Sequence, residues 1–133
     1  MENHIVTAVS IEFRNLLTIS VHADEGVSDE IILETSIEGT DVRCTGNSYL
    51  EAYQKLRDRL LALGYGLKCC GSLINAVQSG MMAHTPKIYL VRYGCQALMK
   101  DIADIWEYCD IHEFPDTKEQ NDFTEQWYES LRK

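Results

Sequence analysis

The chain has 133 residues, 45% of them hydrophobic, and a formal net charge of −9 at pH 7. That length suits one ordinary domain with its own core, and that apolar content argues against disorder. The acidic balance repels nucleic acid and anionic membranes and attracts basic partners, so neither direct nucleic-acid binding nor membrane association is expected.

No apolar run approaches the roughly 20 residues that span a bilayer. The start Met1-Glu2-Asn3-His4 has neither the basic flank nor the long apolar stretch of a secretion signal, so a cytoplasmic location is expected. Five cysteines cannot all pair with one another. In a reducing compartment they are expected as free, mostly buried thiols.

The elements follow in chain order. From His4 to Phe13, Ile5, Thr7, Val9, Ile11 and Phe13 alternate with Val6, Ala8, Ser10 and Glu12, which predicts a strand. Arg14-Asn15 turns the chain, and Leu17, Ile19 and Val21 alternate with Thr18, Ser20 and His22 in a second strand. Asp24 to Asp29 is polar, contains Gly26 and reads as a loop. Ile31 to Ile37 predicts a third strand, Gly39-Thr40-Asp41 a turn and Val42 to Cys44 a short fourth strand. Together they make an antiparallel meander with one polar face.

A long amphipathic helix is predicted from Ser48 to Leu63. Ser48 and Glu51 have capping-box spacing, and Tyr49, Ala52, Tyr53, Leu56, Leu60 and Leu63 share one apolar face. Gly64 is placed to end it. Beyond it, Leu67 to Leu73 and Ile74 to Val77 read as extended, broken at Gly71-Ser72, and Gln78 to Met81 as a turn. Lys87 to Tyr93 predicts a strand closed by Gly94; Leu98 to Ala103 suits a helical turn and Ile105 to Tyr108 a late strand. Pro115-Asp116 starts a C-terminal helix in which Phe123, Trp127 and Leu131 recur every four residues. The fold class expected is therefore α+β: one domain over residues 1–133, an antiparallel sheet of some five to seven strands packed against the long helix, and a second helix at the C-terminus.

Acidic residues supply the main candidate surface. Asp101, Asp104, Glu107, Asp110, Glu113, Asp116, Glu119, Asp122 and Glu125 fall at every third position, offset within that span only by Lys118. A second acid-rich segment, Asp24 to Asp41, holds no lysine or arginine. Unpaired like charges cost stability, and meeting a basic partner is one use for them; a solvated surface is the other. Trp106 and Tyr108 lie among these acids, where an aromatic anchor ringed by charge would suit a protein interface and a core position would suit equally.

Other chemistry finds less support. Cys69-Cys70 is a vicinal pair and no metal clip, and Cys109 and His112 have ligand spacing without a second pair, so no metal is expected. Gly64-Tyr65-Gly66 lacks the rest of a dinucleotide fingerprint, and no cysteine or histidine sits in a nucleophile signature. No catalytic residue and no cofactor are assigned. The one polar cluster with pocket-like composition is the loop from Ser79 to Pro86, with Ser79 and His84 as its reactive side chains.

The run Asn75-Ala76-Val77-Gln78-Ser79-Gly80-Met81, followed by Lys87-Ile88-Tyr89-Leu90, resembles a pattern of small, largely uncharacterised bacterial proteins. In that pattern an amphipathic helix leads to a glycine-containing strand, a Ser-Gly-Met turn and a tyrosine strand ending in glycine. A late Asp-Ile-aromatic segment follows, here Asp104-Ile105-Trp106. The resemblance runs from Ser48 to Glu107. It departs at Val77-Gln78, where the family has Tyr-Pro, and at His84-Thr85-Pro86, where the family has glycines. It brings no catalytic residue with it. In size, acidity and lack of catalytic motifs the chain is also similar in type to the immunity proteins of bacterial toxin systems such as contact-dependent growth inhibition. Those proteins bind a basic toxin domain, often a nuclease.

That likeness implies a cytoplasmic inhibitor, not an enzyme, whose carboxylates pair with the toxin's lysines and arginines. The candidate contact residues are Asp101, Asp104, Trp106, Glu107, Asp110 and Glu113, with Asp24, Glu25, Asp29 and Glu30 as a second patch. The alternative is a small enzyme or ligand-binding domain with its pocket around Ser79–Pro86.

Overall fold

The computed structural model describes residues 2–132. Four strands open the chain: β1 (Glu2–Ser10), β2 (Leu16–Glu25), β3 (Ile31–Ile37) and β4 (Thr40–Gly46). Helix α1 (Tyr49–Ala62) follows, then β5 (Tyr65–Leu67), β6 (Ala76–Val77), β7 (Lys87–Leu90), β8 (Ile102–Asp104) and helix α2 (Thr117–Ser130). Short 3-10 turns cover Cys70–Ser72, Gly80–Met82 and Met99–Asp101. The mixed α+β class expected from the sequence is the one found.

The eight strands divide into two antiparallel sheets. The larger has the order β4-β3-β2-β1-β5, and the smaller is β6-β7-β8. In the larger sheet the core face carries Val6 and Ala8 of β1, Ile19, Val21 and Ala23 of β2, Ile31, Leu33 and Ile37 of β3, and Val42 and Cys44 of β4. Of the two alternating sets on β1, the smaller side chains turn inward, and Ile5 is left 68% exposed. The β3–β4 hairpin closes on Glu38-Gly39, both at positive φ, which is the two-residue turn whose twist matches paired strands.

Helix α1 lays Tyr49, Ala52, Tyr53, Leu56 and Leu60 on that face. Each such leucine contributes about 2 kcal/mol by leaving water. Ser48 caps the helix by accepting the Glu51 amide at 3.1 Å, while the Glu51 carboxylate reaches past it to the Asn47 amide at 2.7 Å. Gly64, at φ 96°, ends the helix, and Leu63 falls outside the buried stripe. At the C-terminus Asp116 and Glu119 form a reciprocal capping box, and Trp127 packs with Val77 and Val91 as a small second cluster beside Phe123 and Leu131.

Several boundaries differ from expectation: β1 ends at Ser10 rather than Phe13, β4 already begins at Thr40, and β7 ends at Leu90 rather than Tyr93. Strand β2 runs on to Glu25, because Asp24 and Glu25 pair with Ile32 and Ile31. The late strand is Ile102–Asp104, paired to β7, and the expected strand Ile105–Tyr108 is a turn followed by an isolated bridge from Tyr108 to Cys69. Arg14-Asn15 does turn the chain, with Arg14 at φ 64°.

Candidate protein-binding surface

Three strand ends meet the start of α1 at one end of the larger sheet: Glu2 of β1 faces Ala23 of β2, and Glu25 of β2 faces Ile31 of β3. There they form a cleft of about 410 Å³ lined by Glu2, Asp24, Glu25, Tyr49, His84, Thr85 and Pro86. Three carboxylates thus share one concave space over an aromatic floor.

Tyr49 is the link to the other acidic segment. Its ring is buried and its hydroxyl accepts the Trp106 indole N–H at 2.8 Å. Burial pushes the phenol up to about 12; the Trp106 hydrogen bond opposes this, and the charges of Glu2 and Asp104 push the same way as burial. It therefore stays a neutral phenol near neutral pH. Of these acids Glu2 shares the cleft with Asp24 and Glu25, while Asp104 lies outside its lining.

Four of the candidate carboxylates are held by backbone amides, and none by a lysine or arginine among the described residues. Among the described residues, no lysine or arginine nitrogen lies within 4.0 Å of Asp24, Glu25, Asp29, Glu30, Asp101, Asp104, Glu107 or Glu113. Asp24 accepts the Glu25 amide at 2.9 Å, and Glu30 the Ser28 amide at 3.0 Å. Asp101 accepts the Leu98 amide at 3.0 Å, and Asp104 the Trp106 amide at 2.8 Å. Lys87 is the cross-strand neighbour of Asp104 without reaching it.

Two expected contact residues take other roles. Trp106 is buried, 7% exposed, stacked on His4 at 5.1 Å and edge-on to Tyr53 at 5.3 Å. An indole inside the core cannot be the apolar centre of an exposed interface; its bond to Tyr49 shows where its polar atom is satisfied. Asp110 is engaged by the Lys68 ammonium at 2.8 Å, so it already has a cation. Glu113 sits apart, beside Leu73, Ile74, Ile111, Phe114 and Pro115. The period-three run of acids thus crosses turn, strand, coil and helix, and forms no single face.

The loop from Ser79 to Pro86 is pinned by Gln78, which the sequence places in a turn without giving its side chain a role. Its side-chain oxygen accepts the Leu50 amide at 3.0 Å, and its nitrogen donates to the carbonyls of Thr85 and Lys87 at 2.9 and 2.8 Å. The loop separates two clefts. Ser79 lines one, with Ser48, Gln54 and Asn121, while His84 lines the acidic one. Ser79 and His84 are therefore not partners in one pocket. Glu2 was also missed, because a carboxylate next to the N-terminus carries no local signal until strand register sets it opposite Ala23.

All five cysteines are free. Among the described residues no group of three His, Cys, Asp or Glu side chains could hold a metal ion, and Cys109 with His112 gains no further ligand. No helix among them is long and apolar enough to cross a membrane. No protein-family model matches the chain, and no curated protein matches its sequence.

Proposed function

We propose that this chain is an immunity-type inhibitor that binds and neutralises a basic protein toxin domain, with the carboxylates around Tyr49 as its contact surface. The observation that carries the reading is the gathering of Glu2, Asp24 and Glu25 in one cleft over Tyr49, with no lysine or arginine among the described residues paired to any of the three. Like charges gathered without counter-charges raise the free energy of the unbound protein, and a cationic partner relieves that cost. Carboxylates facing lysine and arginine form charge-assisted hydrogen bonds, and their long-range field speeds encounter. On this reading the acids stand where nucleic-acid phosphates would otherwise meet the toxin, so the mechanism is occlusion.

With Trp106 in the core, an aromatic contribution to the contact falls away: Tyr49, itself only 3% exposed, is the floor beneath the carboxylates, and Trp106 buttresses it through the indole bond. Expression of the protein encoded beside this chain in its genome, alone and with this chain, tests the reading. Growth is expected to stop with the neighbour alone and to return when both are made. The double change Asp24→Lys and Glu25→Lys is expected to weaken rescue while leaving the circular dichroism spectrum unchanged. Purified partners are expected to bind at least tenfold more weakly at about 500 mM than at about 50 mM NaCl. A harmless neighbour, or binding indifferent to salt, would remove the proposal.

A further inference from the structure

A second cleft, of about 380 Å³, lies between α1, β6 with the loop that follows it, and α2, on residues that the binding reading does not use. Its walls are tied together. The loop is fixed to the start of α1 by the Tyr49 amide on the Ala83 carbonyl at 2.5 Å and by the Leu50 amide on the Gln78 side chain at 3.0 Å. Helix α2 is fixed to α1 by the Gln54 side-chain nitrogen, which donates to the Gln120 oxygen at 3.1 Å. A cleft whose walls are held this way loses little freedom when a ligand enters it.

The orientation of the Gln54 amide is forced. The Gln120 nitrogen donates to the carbonyls of Gly71 and Leu73 at 2.9 and 2.7 Å, and carbonyls only accept. That leaves the Gln120 oxygen facing α1, so the end that Gln54 turns toward it must be the nitrogen. The Gln54 oxygen therefore points the other way. Gln54 is only 9% exposed, and no hydrogen bond among the described residues reaches that oxygen. Nor is it sealed in the core, where His4 Nε2 and Arg57 Nη1 are the side-chain atoms without a partner among the described residues. It opens on the cleft that Gln54 lines. An acceptor held there on a buried side chain calls for a donor.

The rest of the lining selects the ligand. No lysine or arginine lines the cleft, and the chain's charge of −9 repels anions. Its one carboxylate, Glu51, already accepts the Asn47 amide at 2.7 Å and lies 3.8 Å from the Lys55 ammonium, which leaves little for a cation. The groups on offer are uncharged. The Ser79 hydroxyl, the Asn121 amide and the Tyr128 hydroxyl make no side-chain hydrogen bond among the described residues, and Tyr128 is 54% exposed. Ala76, Val77 and Ala83 supply a small apolar floor. We propose that this cleft binds a neutral sugar, a mono- or disaccharide whose hydroxyls meet Gln54, Ser79 and Asn121 while the C–H face of its ring lies on Tyr128. A sugar hydroxyl donates and accepts at once, which suits a lining that mixes donors with an acceptor, and its C–H face suits an aromatic ring. The volume falls at the lower end of small-molecule sites, about 300–1,000 Å³, as a ligand of that size needs.

Titration of the 15N-labelled full chain, read by amide correlation spectra, is the test. The probes are glucose, galactose, maltose and N-acetylglucosamine, with glucuronate as the anionic counterpart of glucose. At least one neutral sugar is expected to bind with a Kd below about 10 mM. It is expected to shift the side-chain amide signals of Gln54 and Asn121 together with the backbone amides of Ser79 and Gly80. The Gln54 signal reports on the unpartnered oxygen without a substitution that would loosen the bond to Gln120. Glucuronate is expected to bind at least about tenfold more weakly than the neutral sugar. Asn121→Ala and Tyr128→Ala, both at exposed positions, are each expected to weaken binding about five- to tenfold with an unchanged circular dichroism spectrum. No shift at Gln54 with any neutral sugar up to about 50 mM, glucuronate binding as well as glucose, or an affinity unaltered in either variant would each overturn the proposal.

Discussion

Lys68 and Asp110 show how one side chain changes its meaning with its neighbours. In the sequence Asp110 is one acid among many; in the fold its carboxylate receives the Lys68 ammonium at 2.8 Å. That hydrogen bond, with the ammonium charge behind it, holds the Asp110 carboxyl below its ordinary value of 3.8. A depressed folded value means the pair contributes stability above the unfolded carboxylate's titration and loses it as pH falls toward the folded one. Carboxyl 13C titration is expected to place Asp110 below the other exposed aspartates, and Lys68→Met to bring it back among them. An Asp110 midpoint unmoved by that change would rule out the pairing. Trp106 carries the same lesson for an apolar side chain. Flanking acids suggested an exposed anchor, yet the neighbours that decide its place are His4, Tyr49 and Tyr53, all distant in sequence.

Helix α2 is joined to the rest of the molecule through Gln120. Its side-chain nitrogen donates to the carbonyls of Gly71 and Leu73 at 2.9 and 2.7 Å. Its oxygen accepts from Gln54 at 3.1 Å and from the buried Arg57 guanidinium at 2.7 Å. Gln120 precedes Phe123, Trp127 and Leu131 on the same helical stripe, so the signal was present: a polar residue in an apolar face is a candidate for buried hydrogen bonding. Replacing it by alanine takes the side-chain partner from the Gly71 carbonyl and from the Gln54 amide, and removes the shorter bond of an Arg57 guanidinium whose Nη2 keeps only Thr117 at 3.3 Å and whose Nη1 already lacks a partner. Gln120→Ala is expected to lower the unfolding free energy by about 2–4 kcal/mol, read by urea denaturation at constant m-value. A loss under about 0.5 kcal/mol would mean that the junction is held by Trp127 and Phe123 instead.

Taken over all 133 residues, a net charge of −9 makes self-repulsion a property of the fold. The few internal ion pairs leave most of the acids facing water, including those around Tyr49. Added salt screens that repulsion over about 10 Å at 0.1 M. The thermal midpoint is therefore expected to rise by a few degrees between about 10 mM and about 150 mM NaCl, measured by calorimetry at neutral pH. A flat or falling midpoint would show that the acids are balanced locally and would weaken the case for a surface built to meet cations.

Local physics made much of the architecture readable. Alternation at period two placed Ile31–Ile37, and capping-box spacing at Ser48 and the Pro115-Asp116 pair placed the helix starts, because each signal lies within a few residues of the element it controls. Composition likewise made the acidic character plain. Tertiary packing decided which face of β1 turned inward, how the strands divided into two sheets, and that Trp106 belongs to the core. It alone gathered Glu2, Asp24 and Glu25 about Tyr49 and separated Ser79 from His84. Those outcomes depend on strand register and on side chains meeting across long loops, and no short window of sequence contains both partners of such a contact.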